Sequence, residues 1–298
     1  MHPNNKHNDS YSFPELIKCN AELAPYAFEN DYGVTTIDFS DNKAVLQLNK
    51  ALLKLHYGVS EWNIPNNYLC PPIPGRVDYI HYIADLLASE GIDTAIKGLD
   101  IGVGANCIYP ILASQLYDWK MVGVDSNETA VSSAKANIAV SEGLKKNIEI
   151  RHQENNANIF EGIIQKDEFF HFSMCNPPFH SSEENATKGT LRKMRNLQKN
   201  EGGYFKKEEI YLNFGGQANE LWCNGGEALF IKRMIKQSAA FKDNIKWFTS
   251  LVSKKENLAK MYKQLNKLKV THKTIEMTQG NKQSRIVAWS FNNPEVKV

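Results

Sequence analysis

"AIKGLDIGVGANCIYPILASQLY", residues 95–117, predicts a buried strand that runs through a glycine turn into a helix. The strand ends at Asp100, and the turn contains Gly102 and Gly104. Glycine has no Cβ, so a ligand can approach the backbone of such a turn closely. The third glycine of a dinucleotide fingerprint is replaced by "ANC", and no phosphate-loop lysine follows, which disfavours ATP as the ligand.

Strands and helices alternate on the C-terminal side of this stretch. Further strands are predicted in "KMVGVDS", "NIEIRHQ", "FFHFSMC", "IKWFTSLVS", "VTHKTIEM" and "RIVAWSF". Helices are predicted in "NETAVSSAKANIAVSEG", "GGEALFIKRMIKQSAAF" and "KENLAKMYKQLNKL". This alternation indicates an α/β fold with a seven-stranded, mostly parallel sheet, and the last two strands indicate an antiparallel hairpin at its C-terminal edge.

The N-terminal part of the chain has a different pattern. Residues 1–12 are polar and are expected to form a flexible tail. Residues 13–90 predict a mainly helical extension, which precedes the alternating strands and helices of a domain over 91–298.

Composition limits the class of protein. Of the 298 residues 42% are hydrophobic, so a sizeable core is possible, and the formal net charge is only +2. The five cysteines include no C-x-x-C pair, which argues against a zinc site and fits a reducing compartment. With no apolar signal segment and no bilayer-length apolar run, the sequence predicts a cytoplasmic protein with no membrane association.

Positive charge is concentrated in the second half of the chain. Residues 188–207 carry seven Lys or Arg against Glu201 alone, and residues 232–273 carry twelve against two acidic residues. Such clusters predict a polyanion-binding surface, although solvated helix faces would give the same counts. The first cluster lies in a long irregular segment, 181–218, and loops of this length are usually functional or disordered.

Asp125 ends the strand "KMVGVDS" that follows the glycine turn. A carboxylate at this place can accept hydrogen bonds from both hydroxyls of a ribose. A lone Asp is more often a helix cap, but together with the preceding glycine turn it favours a nucleoside ligand.

"CNPPF", residues 175–179, stops a dense apolar strand abruptly. Pro177 and Pro178 fix two φ angles and remove two backbone donors, so the carbonyl groups of this elbow and the Asn176 amide oxygen are presented as acceptors. Phe179 adds a flat apolar surface. Acceptors beside an aromatic ring suit a planar substrate with an exocyclic NH₂ group.

These motifs together resemble the class I S-adenosylmethionine-dependent methyltransferases that act on an exocyclic or amide nitrogen. More narrowly, "PPIPGR", "LDIGVGANCIYPILA", "CNPPFHSS" and "GGEALFIKRMI" resemble the ribosomal RNA large subunit adenine-N6 methyltransferase F family, and they are similar to the U6 small nuclear RNA adenine methyltransferases. The resemblance extends over nearly the whole chain and implies a Rossmann-like methyltransferase domain over 91–298. We expect the extension, residues 13–90, to form a lid over the RNA and cofactor sites of this domain.

The resemblance implies methyl transfer from S-adenosylmethionine to N6 of one adenine in large-subunit (23S) ribosomal RNA, with S-adenosylhomocysteine as product and no metal. The implied catalytic residues are Asn176, Pro177, Pro178 and Phe179. The implied cofactor residues are Arg76, Asp100, Gly102, Gly104 and Asp125. The basic residues expected to contact RNA are Lys188, Arg192, Lys193, Arg195, Lys206 and Lys207.

Several alternatives stay open from the sequence. Arg76, placed by the resemblance at the methionine carboxylate, could instead cap a helix or pair with Asp78. The elbow motif also occurs in N5-methyltransferases of protein glutamine, usually with Tyr as the aromatic residue, and in DNA adenine methyltransferases. A catalytically silent RNA-binding assembly factor is the non-enzyme alternative. The sequence shows no sign of an obligate protein partner, and both naked RNA and an assembling particle are possible substrates.

Overall fold

The computed structural model describes residues 1–66, 68–178, 225–279 and 282–291, with the backbone alone at residues 279 and 282. Helices in these ranges are α1 (Phe13–Cys19), α2 (Asn42–Tyr57), α3 (Ile73–Ala88), α4 (Ile108–Tyr117), α5 (Glu128–Ala139), α6 (Glu142–Asn147), α7 (Gly226–Ser238) and α8 (Leu258–Lys267). Three short 3₁₀ helices span Ala21–Tyr26, Ala239–Phe241 and Lys255–Asn257.

The described residues contain nine strands, which form two sheets. They are β1 (Ala27–Glu29), β2 (Thr35–Ile37), β3 (Lys97–Ile101), β4 (Lys120–Asp125), β5 (Ile148–His152), β6 (Phe170–Cys175), β7 (Ile245–Val252), β8 (Thr271–Gln279) and β9 (Lys282–Ser290). β1 and β2 pair with each other, and the other seven form one sheet in the order β5-β4-β3-β6-β7-β9-β8. The first five strands of this order are parallel, and β9 is antiparallel to both of its neighbours. The predicted α/β fold with a seven-stranded, mostly parallel sheet and an antiparallel C-terminal hairpin is confirmed.

The register of the central strands brings the two sequence motifs together. β3 pairs with β6 so that Ile101 is opposite Cys175, and it pairs with β4 so that Ile101 is opposite Val124. The glycine turn after β3, Asp125 at the end of β4 and the elbow after β6 therefore lie at the same edge of the sheet. Ligands of open parallel sheets bind at this carboxyl edge.

Apolar side chains cover both faces of the sheet. Met121 and Trp247 contribute to one core, while Val122 and Phe248, the next residue on each strand, contribute to the other. The first core also contains apolar residues of α1, α2 and α3, so the N-terminal extension is built onto the sheet through α3 and α4. The second core is closed by α7 and α8.

The N-terminal tail is packed in the structure, which corrects the expected flexible segment 1–12. His2, Asn5 and His7 are buried. Asn5 Nδ2 donates to Asp78 and to the Pro74 carbonyl oxygen, so the segment is attached to the first turns of α3. Tertiary hydrogen bonds of this kind are not visible in local composition, which is why a polar sequence predicted mobility.

Two smaller differences concern local backbone geometry. The helix predicted over 127–143 is divided into α5 and α6, because Ser141 is in an extended conformation. The short hairpin β1–β2 within the extension was not predicted. None of the helices in the described ranges combines the length and apolar composition needed to cross a membrane.

Candidate active site

A cavity of about 530 Å³ lies at the carboxyl edge of β3, β4 and β6, under the first turn of α3. This volume is in the range of small-molecule and cofactor sites. The residues that line it and were predicted for the site are Arg76, Gly102, Gly104, Asp125, Asn176 and Pro178. Asp100 and Pro177 are buried behind this lining.

The glycine turn forms one wall of the cavity. Gly102 and Gly104 have φ angles of +79° and +63°, a region that L side chains rarely adopt. A Cβ placed on Gly102 would meet no atom within 4 Å, so this face of the turn is open to a ligand. The turn is held to the neighbouring strand because the backbone N–H groups of Gly102 and Val103 both donate to the Val124 carbonyl oxygen.

Asp125 joins the end of β4 to the glycine turn. Its Oδ2 accepts from the Gly104 backbone N–H at 2.9 Å, and its Oδ1 accepts from the Asn127 N–H at 2.9 Å. Burial raises the pKa of Asp125, and these backbone donors oppose the rise. The backbone N–H groups of Asn127, Gly104 and Ser126 occupy three of roughly four lone-pair sites, so the carboxylate can still accept from a ligand hydroxyl.

Asp100 is a buried carboxyl group whose two oxygens have no hydrogen-bond partner among the residues that the structure describes. Burial raises its pKa to about 8; the charge of Asp125 adds to the rise, and the charge of Arg76 opposes it. An unpartnered buried carboxyl group is costly to a fold, so a donor from a ligand or an ordered water is its natural partner.

Arg76 extends from the first turn of α3 to the elbow. Its Nη1 donates to the Tyr109 hydroxyl at 2.7 Å, and the guanidinium carbon lies 5.2 Å from the Tyr109 ring centre. The hydrogen-bonding partners place the amide oxygen of Asn176 towards Arg76, at 3.0 Å from Nη1 and 3.2 Å from Nη2. The pairing of Arg76 with Asp78 that the sequence left open is not formed; Asp78 instead accepts from the backbone N–H of His2 and from Asn5.

A buried tyrosine supports the elbow from behind. The hydroxyl of Tyr79 lies 2.8 Å from Thr249 Oγ1 on β7, and the Cys175 N–H donates to it at 3.4 Å. Thr249 in turn donates to the Ser173 carbonyl oxygen at 2.8 Å, so Tyr79 is the donor to Thr249. Burial raises the pKa of the Tyr79 phenol well above its usual value, which keeps this donor protonated. Asn176 thus follows a strand end that is held by α3 and β7 together.

Sequence reasoning missed several residues of the cavity. Tyr68 donates to Asn127 at 3.1 Å, Gln153 lines the wall directly after β5, and Arg233 of α7 donates to the Asn156 carbonyl oxygen at 3.1 Å. The position of Gln153 was open to prediction, because it follows a parallel strand just as Asp125 does. Tyr68 is marked by no local pattern. Arg233 lies within the quoted stretch GGEALFIKRMI, but no role was predicted for it.

Seven predicted site residues lie outside the described residues. They are Phe179, Lys188, Arg192, Lys193, Arg195, Lys206 and Lys207. The irregular segment 181–218 lies outside them as well. Their roles stay predictions.

Comparison with known proteins decides the class of this site. A family model described as RNA methyltransferase matches residues 1–293. The chain belongs to this family. The ribosomal RNA large subunit methyltransferase F of Christiangramia forsetii is 62% identical over 292 residues, covering 98% of this chain and 100% of the relative. The protein of the same name from Cytophaga hutchinsonii is 50% identical and covers 100% of this chain and 92% of its own length.

Solved structures give the same result for this RNA methyltransferase. The human METTL16 catalytic domain in complex with a MAT2A 3′UTR hairpin superimposes with a TM-score of 0.81 at 27% identity, covering 99% of this chain and 98% of that domain. The N-terminal domain of human METTL16 in complex with S-adenosylhomocysteine gives a TM-score of 0.77 at 26% identity, with 98% and 99% covered. The predicted class I methyltransferase fold and the enzyme class, an S-adenosylmethionine-dependent RNA methyltransferase, are confirmed.

Proposed function

We propose that this enzyme methylates N6 of one adenine in large-subunit ribosomal RNA. The observation that supports this most is the position of Asn176: it lines the same cavity as the glycine turn and Asp125. An amide acceptor for an exocyclic amine thus lies beside a site suited to a nucleoside cofactor. The large-subunit substrate follows from the names of the bacterial relatives, ribosomal RNA large subunit methyltransferase F.

The polar groups of the cavity fit S-adenosylmethionine. Within the described part of the chain, Arg76 Nε and both Asp100 oxygens are buried without a hydrogen-bond partner. The first group is cationic and the second acidic, so a methionine zwitterion would offer its carboxylate to Arg76 and its ammonium group to Asp100. Asp125 would accept from the ribose hydroxyls, and the open face of Gly102 would lie against the methionine part. When bound, the cofactor supplies a methyl group activated by its sulfonium charge, so no metal is required.

Asn176 and the elbow carbonyl groups would align the substrate amine. They accept its two hydrogens and draw the nitrogen lone pair out of conjugation towards the methyl carbon. The bound cofactor would supply its methyl group to this lone pair and remain as a neutral thioether, while Asn176 and the elbow hold the amine in line. The nitrogen becomes acidic once it is methylated, so the proton passes to water afterwards and no strong base is needed before attack.

A base in structured RNA has to be turned out of its stack to reach this cavity. We propose Phe179 as the platform on which the adenine ring stacks, with Tyr204, Phe205 or Tyr211 covering its other face. The basic residues of 181–218 would contact phosphates. A ribosomal RNA substrate would also place the enzyme in the cytoplasm.

The alternatives have less support than this reaction. The matching family is one of RNA methyltransferases, which weighs against a DNA adenine or a protein glutamine substrate. A silent assembly factor would have no use for Arg76, Asp100 and Asn176 around one cavity.

Mapping N6-methyladenosine in ribosomal RNA tests the proposal directly. Cells with the gene should carry one modified adenine in the large-subunit RNA that is lost on deletion and restored by the wild-type gene, but not by a gene encoding Asn176→Ala. Incubation of the purified enzyme with RNA from the deletion strain, and with its large-subunit particles, should restore the same position. An unchanged modification map would reject the proposed substrate.

A further inference from the structure

The hairpin β1–β2 presents apolar side chains to solvent. Its strands pair with Phe28 opposite Thr36, and Ile37 points to the other side, where it is buried. Phe28 is 48% exposed, Tyr32 89%, Val34 55%, and Phe39, just after β2, 53%. These four residues are called the hairpin surface below.

The tip of this hairpin is an ordered turn. Asn30 Oδ1 accepts from the backbone N–H groups of Tyr32 and Val34, both at 3.0 Å, and Gly33 takes a φ of +71° that closes the turn. The exposure of Tyr32 is therefore imposed by the backbone and is not the fraying of a loose loop. An aromatic side chain that is held in water in this way is available for a partner.

Exposed apolar residues are concentrated on this surface. Seven large hydrophobic side chains are exposed in the described part of the chain, and four of them fall within the twelve positions 28–39. Single exposed apolar residues are common, whereas a cluster of them marks an interaction site.

The charge around the hairpin surface selects the kind of partner. Residues 19–42 contain no Lys, Arg or His, and they contain Glu22, Glu29, Asp31, Asp38 and Asp41. None of these five carboxylates forms an ion pair with a described residue. A Cβ on Gly33 would lie 3.9 Å from Glu29 Oε1, so negative charge reaches the tip itself.

This negative charge makes RNA an unsuitable occupant. Phosphates are repelled by carboxylates, and the basic clusters belong to other parts of the sequence, residues 188–207 and 232–273. A polypeptide rich in Lys and Arg complements both features, since its charged groups face the carboxylates and the apolar parts of its side chains cover the aromatic rings. We propose that the hairpin surface docks a basic protein segment.

The choice of a probe rests on the proposed function, because an enzyme of ribosomal RNA meets basic proteins on its substrate. The probe is the total protein fraction extracted from purified large ribosomal subunits, and the protein-free RNA of the same subunits is measured in parallel. Three forms of the full chain are compared with wild type: Phe28→Ser with Tyr32→Ser, Glu29→Lys with Asp31→Lys, and the control Val140→Ser, which alters an exposed apolar residue elsewhere.

We expect wild type to retain at least one basic protein of this fraction, and both hairpin variants to retain it at least fivefold less. The control should behave as wild type, and RNA binding should be unchanged by Phe28→Ser with Tyr32→Ser. Equal retention by all forms, or no retention by wild type, would overturn the docking proposal. A fall in RNA binding with the aromatic variant would show that the surface stacks bases instead. Methylation of the RNA by the same preparations reports separately on the proposed function, which can fail while docking stands.

Discussion

The amide oxygen of Asn176 lies 3.0 Å from Nη1 and 3.2 Å from Nη2 of Arg76. This contact joins the first turn of α3 to the elbow after β6. A carbonyl oxygen has two lone pairs, so Asn176 can accept from Arg76 and from a substrate amine together. Arg76 therefore fixes the direction in which the second lone pair points.

Arg76→Lys should weaken both cofactor binding and turnover. A lysine ammonium cannot reproduce the fork that serves Tyr109 and Asn176 together. Charge-assisted hydrogen bonds contribute roughly 1.5–3 kcal/mol, which corresponds to a loss of about 10- to 100-fold in kcat/KM for the cofactor. Steady-state kinetics measure this, and Arg285→Lys, which alters an arginine paired with Glu276 outside the cavity lining, is the matched control. A variant with normal kcat/KM would show that the fork has no role.

Tyr79→Phe should lower kcat several-fold and leave the Kd of the cofactor unchanged. The phenol holds the strand end that precedes Asn176 through Thr249 and the Cys175 N–H, but it does not line the cavity. Tyr57→Phe is the control, because it removes another buried hydroxyl, the partner of His7 at 2.8 Å, far from the elbow. If both variants lose the same stability, about 1 kcal/mol, and only Tyr79→Phe loses turnover, the positioning role is supported. Equal turnover in the two variants would contradict it.

We predict that the Asp100 carboxyl group releases a proton when the cofactor binds. Its raised pKa of about 8 means that the folded, free enzyme holds the proton at pH 6.5. An ammonium group placed beside Asp100 favours the ionised form, so binding should release nearly one proton at this pH, and affinity should increase with pH up to about 8.

Calorimetry in buffers of different ionisation enthalpy measures this proton. Asp100→Asn should abolish most of the release, while Asp118→Asn, which removes a carboxylate bonded to Asn147 away from the cavity, should not. The same release from wild type and Asp100→Asn would place the titrating group elsewhere.

We predict that Glu168 contributes to the free energy of unfolding and that this contribution is lost in acid. Burial favours its neutral form, but hydrogen bonds from Arg151 at 2.7 and 2.8 Å and from Lys97 at 2.6 Å prevail and lower its pKa to about 2. The folded pKa is below the unfolded one, so this stabilisation is complete above pH 4.5 and is lost as the pH falls towards 2.

Glu168→Gln should therefore lower the free energy of unfolding by about 2 kcal/mol at pH 7, and by less at pH 3. Urea titrations at the two values measure the difference. Glu142→Gln, which breaks the exposed pair with Lys145, should change stability by no more than about 0.5 kcal/mol at either pH. If the loss in free energy of unfolding caused by Glu168→Gln were as large at pH 3 as at pH 7, the ionised carboxylate of Glu168 would not be its cause.

The central part of the fold was predictable because its signals are local. Three signals each lie within about a dozen residues: the strand, glycine turn and helix around Gly102, a second strand that ends at Asp125, and an apolar strand that ends at Cys175 before the two prolines. The carboxyl-edge rule for parallel sheets then brings the three ends together, as the register of β3 with β4 and β6 confirms.

Features that depend on distant contacts were not predictable in this way. The packing of His2 and Asn5 on α3 depends on Asp78, more than seventy positions along the chain. In the sequence, Tyr79 cannot be distinguished from the other residues on the apolar face of its helix. Its role depends on Thr249 of β7, whose Oγ1 lies 2.8 Å from the Tyr79 hydroxyl. The hairpin β1–β2 has three-residue strands, which are too short for a period to be recognised.

Asn176→Ala tests the central claim most directly, with single-turnover transfer of a labelled methyl group to the RNA as the measurement and adenine N6 as the monitored position. Loss of one positioned hydrogen-bond partner should slow the step by about 10²–10³-fold. Cofactor affinity and thermal unfolding should stay near those of wild type. A folded Asn176→Ala enzyme that transfers the methyl group at the wild-type rate would contradict the role of the elbow.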